Sequence, residues 1–244
     1  MGEPRLCIVI PAYNEAARLG KSLEKIAGYI EGQAGPVGLI LVDDGSSDRT
    51  PELMREFQSR HPATRILRNQ PNRGKGYSVR RGVLEAQGEF VLFTDSDLSA
   101  PIEEATKLMA ALEAQNADVA IGSRALDRSL IGVRQPWTRE MSGKFFNLLV
   151  RLFTGLPLRD TQCGFKLFRR AATRRAFELQ RVDGFGFDPE ILFLIRRSGG
   201  KIVEVPVRWD DNPATKVHFL RDSSRMFLDL IALRWRQLTG KYPL

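Results

Sequence analysis

The chain has 244 residues, enough for one sizeable hydrophobic core, or for one domain with a substantial appendage. Its 37 Lys and Arg against 29 Asp and Glu leave a formal charge of +8, which favours anionic partners: nucleotides, lipid phosphates, anionic membranes or nucleic acid. Cys7 and Cys163 alone exclude a disulfide framework or a zinc ribbon and fit a reducing cytoplasm.

The first strand is expected within a few residues of Met1 (MGEPRLCIVIPAYNE), leaving no room for a cleavable signal sequence. Strands are predicted over 6–11, 37–44, 64–69, 89–95 and 117–124, with helices over 15–32, 48–61, 74–87 and 102–115. This alternation predicts an α/β fold with a doubly wound, mainly parallel sheet. Ligands in such sheets bind at the carboxyl ends of the strands.

Near residue 125 the composition shifts to basic and aromatic sequence. Segment 139–156 has Met141, Phe145, Leu148, Leu149 and Leu152 on one face beside Arg139, Lys144 and Arg151. The end of the chain repeats the pattern with Phe227, Leu230, Ile231 and Trp235 beside Arg225, Arg234 and Arg236. Each reads either as a core helix with a solvated basic face or as a helix lying on a membrane surface. No apolar run approaches the roughly 20 residues that span a bilayer, so any membrane contact is expected to be peripheral.

Four strand ends carry polar groups. VIPAYNEAARL sets Pro11, Tyr13 and Glu15 after the first strand, where a ring and a carboxylate suit a base and a ribose, although Asn14 and Glu15 equally suit a helix start. LVDDGSSDRT presents adjacent Asp43 and Asp44, which need a partner such as a ribose hydroxyl pair or a base. NRGKGYSVRRG is a glycine-rich basic turn opening a helix, with Gly74 and Lys75 placed for a phosphate; it is not a Walker A loop. DSDLSAP then projects Asp95 and Asp97 around Ser96. Their mutual repulsion calls for a cation, and hard oxygen ligands suit Mg2+ or Mn2+; the bland alternative is a strand end and a helix cap.

Together with IGSR, DTQCGFKLF, GFDPEIL and VPVRWDDNPATKV, these segments resemble, along the whole chain, the inverting glycosyltransferases of family 2, with the GT-A fold, and among them the polyprenyl-phosphate hexosyltransferases such as the dolichyl-phosphate glucosyltransferases. The resemblance implies a nucleotide-sugar site at Pro11, Tyr13, Glu15, Asp43 or Asp44, Gly74, Lys75, Asp95 and Ser96. A divalent metal would sit on Asp95 and Asp97, with Ser99 a further possible ligand. It divides the chain into a catalytic domain, 1–212, with a nucleotide half (1–124) and an acceptor half (125–212), and an amphipathic extension, 213–244, for a membrane surface.

The activity so implied moves glucose from UDP-glucose to a polyprenyl (dolichyl) phosphate on the cytoplasmic face of a membrane. Mannose transfer from GDP-mannose is the alternative, and a nucleotidyltransferase a more distant one. A phosphate acceptor is already anionic near neutrality and needs positive charge more than a base. Arg124, Arg139 and Ser142 are the candidates for gripping it. Asp188 lies with Glu190 among apolar residues; the resemblance maps this region to the catalytic carboxylate used with alcohol acceptors, or here to orienting the sugar. Gln162 and Lys166 either line the acceptor side or belong to a core strand. His61 and His218 read as structural or surface residues. Nucleic acid is not an expected partner, because Asp43, Asp44, Asp95 and Asp97 would repel a polyanion at the ligand edge.

Overall fold

The computed structural model describes residues 4–212 and 219–243; the start of the expected extension, with His218, lies outside the described residues. The predicted strands appear as β1 (Leu6–Ala12), β2 (Val37–Asp43), β3 (Thr64–Arg68), β4 (Phe90–Thr94) and β5 (Val119–Ser123). With β6 (Phe165–Arg169) and β7 (Ile202–Pro206) they form a seven-stranded sheet of order β3-β2-β1-β4-β6-β5-β7. β6 runs antiparallel to β4 and β5, and the other pairings are parallel. The fold is therefore the expected mainly parallel α/β sheet, with one strand reversed.

Strand side chains alternate between two apolar layers, as the pleat requires. Leu6, Ile8, Ile10, Phe90 and Leu92 pack with α1 (Leu19–Glu31), α2 (Thr50–Arg60) and α4 (Ala105–Ala114). Cys7, Val9, Val91 and Phe93 pack with α3 (Lys75–Glu85), α6 (Arg170–Leu179) and α7 (Phe187–Arg197). α5 (Trp137–Thr154) and α8 (Phe219–Leu238) meet through Phe146, Val150 and Leu230. Leu233 and Tyr242 enter the layer beneath α7, so the described part of the C-terminal segment is packed onto the domain.

Some boundaries move for identifiable reasons. α1 starts at Leu19 rather than 15, because Asn14 adopts φ 52° and its side-chain oxygen accepts the N–H of Ser47 at 2.8 Å. The Glu15 N–H donates to Thr50 Oγ1 at 2.7 Å, tying the strand end to the start of α2. Segment 102–115 begins with a 3-10 turn, Ile102–Glu104, after Pro101. α5 starts after Pro136 and stops at Gly155, which takes the left-handed conformation usual at a helix end. The second half, where the sequence showed a composition shift, supplies β6, α6, α7 and β7.

Because β6 is reversed, its beginning meets the carboxyl ends of β4 and β5: the Asp95 N–H donates to the Gly164 carbonyl at 3.1 Å. On the α3 side, the absent side chain of Gly82 lets the helix approach the sheet, and a Cβ there would run into Val9 and lie 3.1 Å from Val42 Cγ2. Gly82→Ala should destabilise the fold by about 1–3 kcal/mol through overpacking. Urea unfolding checks this; an unchanged midpoint would mean that α3 can shift freely.

Candidate active site

The carboxyl edge gathers the residues from four loops. Asp95 ends β4, and its carboxylate packs where a Cβ on Gly164 would stand. Lys75, the first residue of α3, places Nζ 2.6 Å from Asp95 Oδ1. Asp97 accepts the Ser99 N–H at 3.1 Å, closing a tight turn in which Leu98 has φ 50°. Its other oxygen lies 3.3 Å from Arg18 Nη1. Arg18 also pairs with Glu15, so Glu15, Arg18 and Asp97 form a chain of alternating charge. Burial, followed by repulsion from Asp95, pushes the Asp97 carboxyl above its ordinary value.

The alternatives Asp43 and Asp44 separate by geometry. Asp44 accepts the N–H groups of Arg73 at 3.0 Å and Gly74 at 2.8 Å, and the Asn69 side-chain amide at 2.8 Å. It is the anchor of the glycine-rich turn. Those two amides, expected to face a phosphate, are taken by a carboxylate instead. Asp43 accepts the Ser46 N–H through Oδ1 at 2.9 Å. Its buried Oδ2 lies 3.0 Å from Arg68 Nε, yet among the described residues it accepts no hydrogen bond. An acceptor is therefore left at the edge where Tyr13 is exposed and Pro11 is buried in β1. Ser96 is buried between the two metal-side aspartates.

On the other side of the reversed strand, Lys166 is buried in β6 and donates to Asp188 Oδ1 at 2.5 Å and to the Cys163 carbonyl at 2.6 Å. Lys166 is a core-strand residue whose ammonium head is engaged by Asp188, and it does not line the cavity beside Arg124. Burial raises the Asp188 pKa, against the pull of Lys166 and then Lys75. Arg124, at the end of β5, is clamped by Asp160 through Nε at 2.7 Å and Nη2 at 2.8 Å. Burial opposes its charge, but Asp160 outweighs that and raises its pKa.

Beside Arg124 a cavity of about 120 Å³ is lined by Arg128, Arg134, Lys144, Arg159 and Trp209, among others. Arg128 and Lys144 share Glu140, whereas among the described residues the guanidinium groups of Arg134 and Arg159 form no ion pair; the Arg159 backbone N–H donates to Glu204 at 2.8 Å. Arg139 points elsewhere, with Nη1 3.2 Å from Asp211 Oδ1, and neither it nor Ser142 lines this cavity. The sequence reading missed Arg18, Arg68, Arg134, Arg159 and Asp160. Arg18 lies in VIPAYNEAARL and Asp160 in DTQCGFKLF, whereas Arg68, Arg134 and Arg159 lie in none of the motif segments. Gln162 lines the cavity, and His61 stacks on Phe57 with ring centroids 4.3 Å apart, away from the site.

A seven-stranded α/β sheet with a D-x-D turn, a lysine-bearing glycine turn and a reversed strand set between two parallel ones defines a GT-A glycosyltransferase. Residues 7–177 match the family described as Glycosyl transferase family 2, and the chain belongs to it. The dolichyl-phosphate beta-glucosyltransferase of Saccharomyces cerevisiae is 34% identical over 97% of this chain and 76% of its own length. That of Drosophila melanogaster is 35% identical over 97% and 76%. Glucosyl-3-phosphoglycerate synthase from Mycobacterium tuberculosis, solved with Mn2+, UDP and glucosyl-3-phosphoglycerate, superposes with a TM-score of 0.67 at 19% identity, covering 99% of this chain and 81% of that one. A mannosyltransferase from Pyrobaculum calidifontis with GDP-Man and Mn2+ gives 0.63 at 20% identity, covering 95% and 65%.

The donor set fits a divalent metal. Asp95 and Asp97 lie close enough to repel, and burial with that repulsion disfavours the charge on Asp97 even with Arg18 beside it. The raised Asp97 pKa means that the folded protein holds this proton more tightly than the unfolded chain. This carboxylate therefore costs stability above its folded pKa, and the cost vanishes as pH falls below its unfolded value. Asp97→Asn should accordingly leave the metal-free protein melting at or above wild type at neutral pH, while Mn2+ ceases to raise Tm. Calorimetry with and without Mn2+ decides; a metal-free variant that melts well below wild type would contradict the assignment.

Proposed function

We propose that the enzyme transfers glucose from UDP-glucose to a polyprenyl (dolichyl) phosphate at a membrane surface, using Mg2+ or Mn2+. The observation that carries this reading is the position of α5. One stripe of the helix, Met141, Phe145, Leu148 and Leu152, is exposed, while Glu140, Gly143, Lys144 and Asn147 line the basic cavity. An exposed apolar face beside a basic pocket suits an amphiphile with a phosphate head. α8 adds Leu228, Ile231, Trp235 and Leu238 next to the same seam. Arg225 and Arg234 on α8, with Lys144 and Arg151 on α5, supply the cationic flank for anionic headgroups. Among the described residues no helix is long and apolar enough to cross a membrane. The expected cytoplasmic face is kept as part of this reading, and the names of the relatives above, dolichyl-phosphate beta-glucosyltransferases, support the lipid-phosphate acceptor.

On the donor side, Tyr13, Pro11 and the Asp43 carboxylate, with Arg68 beside its Oδ2, take the base and ribose, with Glu15 paired to Arg18. Asp44 and Gly74 shape the turn that presents Lys75. Asp95 and Asp97 hold the metal, with Ser96 between them; when bound, the metal supplies a Lewis acid for the leaving diphosphate. Lys75 adds fixed positive charge where the diphosphate's charge grows. Ser99 serves Asp97 through its N–H, so a ligand role for it is secondary.

On the acceptor side, Asp188 is tied to Lys166 and orients the site rather than abstracting a proton. A phosphate monoester, with a second pKa of about 6, needs no such abstraction near neutrality. Arg134 and Arg159, with Arg124 behind them, grip that phosphate, and Arg139 and Ser142 support the start of α5.

Transfer of labelled sugar from UDP-glucose and, in parallel, GDP-mannose to dolichyl phosphate tests the reaction. A chloroform-soluble product from UDP-glucose, abolished by EDTA, is expected; product from GDP-mannose alone would reverse the donor assignment. Arg134→Gln and Arg159→Gln should each raise KM for the lipid phosphate about tenfold or more, the loss of a charge-assisted hydrogen bond, with KM for UDP-glucose unchanged. An equal rise in both KM values would remove the cavity from the acceptor site. Trp235→Ser with Leu238→Ser should weaken sedimentation with anionic vesicles and spare UDP binding; undiminished sedimentation would take α8 off the membrane.

A further inference from the structure

We propose that Tyr242 is a positioning residue for the donor half of the site, acting through Glu190 on the turn that carries Lys75. The inference rests on the reading of Lys75 as a diphosphate contact. Glu190, in α7, is fully buried. It accepts the N–H groups of Arg181 at 3.1 Å and Val182 at 2.8 Å, and the Tyr242 hydroxyl at 2.5 Å. Arg236 of α8 stands 3.8 Å away. The carboxylate therefore joins the C-terminal segment to the backbone at 181–182.

That backbone is the seat of the glycine turn. The Asp183 carbonyl accepts the Tyr77 N–H at 3.1 Å, and Gln180 Nε2 bridges the carbonyls of Gly76 at 2.9 Å and Val182 at 2.8 Å. A Cβ on Gly74 would lie 2.5 Å from the Asp183 carbonyl oxygen, and one on Gly76 would lie 2.6 Å from that of Val182. Lys75 sits between two glycines that touch the 182–183 backbone directly, and Gly74 holds φ 104° there. Farther along the same loop, a Cβ on Gly186 would lie 2.6 Å from Asp229 Oδ2 of α8. The loop is thus held between the C-terminal helix and the Lys75 turn.

A phenylalanine at 242 would fill the same space and remove only the hydroxyl. A plug needs the ring; a brace needs the oxygen. Hydrogen exchange and UDP binding with Mn2+ would be measured on the full chain for wild type and Tyr242→Phe, with Glu190→Gln as the second variant. Loosening the brace should speed exchange at 74–78 by about tenfold and weaken UDP by several fold, with β1 amides unchanged. Faster exchange confined to 181–182 and 236–243 in both variants, with UDP affinity intact, would overturn the proposal. If wild type binds no UDP, the donor reading falls, and exchange at 74–78 still decides whether the brace exists.

Discussion

The arrangement depends on bringing several carboxylates to one sheet edge without letting them repel the fold apart. Asp95, Asp97, Asp160 and Asp188 converge there, and each has its own cation: Lys75, Arg18, Arg124 and Lys166. The buried Lys166–Asp188 pair is the most demanding of these. Removing one partner of such a pair usually costs several kcal/mol, because the other charge is left in a poorly solvated place. The reversal of β6 makes the arrangement possible, since it inserts Lys166 and the Asp160–Gly164 approach between the ends of β4 and β5.

These pairings divide the carboxylates by chemistry. Asp160 and Asp188 are spent on buried or clamped cations and organise the acceptor side. Asp95 and Asp97 are themselves the more exposed carboxylates and face the donor edge. Among the described residues no cluster of three or more His, Cys, Asp or Glu is placed to hold a metal. On the proposed reading, the further oxygens that a hard divalent ion requires would come mainly from the nucleotide's diphosphate and from water. Metal and nucleotide are therefore expected to support each other's binding.

Much of this was legible in the sequence because it is local. Alternating apolar runs gave five strands within a residue or two, and D-x-D, the glycine turn and Lys75 lie on consecutive β/α units. What was hidden depends on long-range pairing. Arg124 meets Asp160 across 36 residues, and Lys166 meets Asp188 across 22. The difference between Asp43 and Asp44 lies in hydrogen bonds to Asp44 from a turn about thirty residues away. Arg139 was a candidate by type and by its place at the start of the amphipathic segment, but Asp211 engages it in the folded chain. The insertion of β6 between β4 and β5 has no signature in apolar periodicity.

The interdependence of metal and diphosphate can be measured directly by following free Mn2+ by electron paramagnetic resonance during titration of the protein, with and without saturating UDP. The two protein carboxylates alone should bind Mn2+ weakly, and UDP should tighten that binding by about tenfold or more, with the same factor returned to UDP by Mn2+. Equal Mn2+ affinity with and without UDP would contradict a site that the metal and the nucleotide complete together.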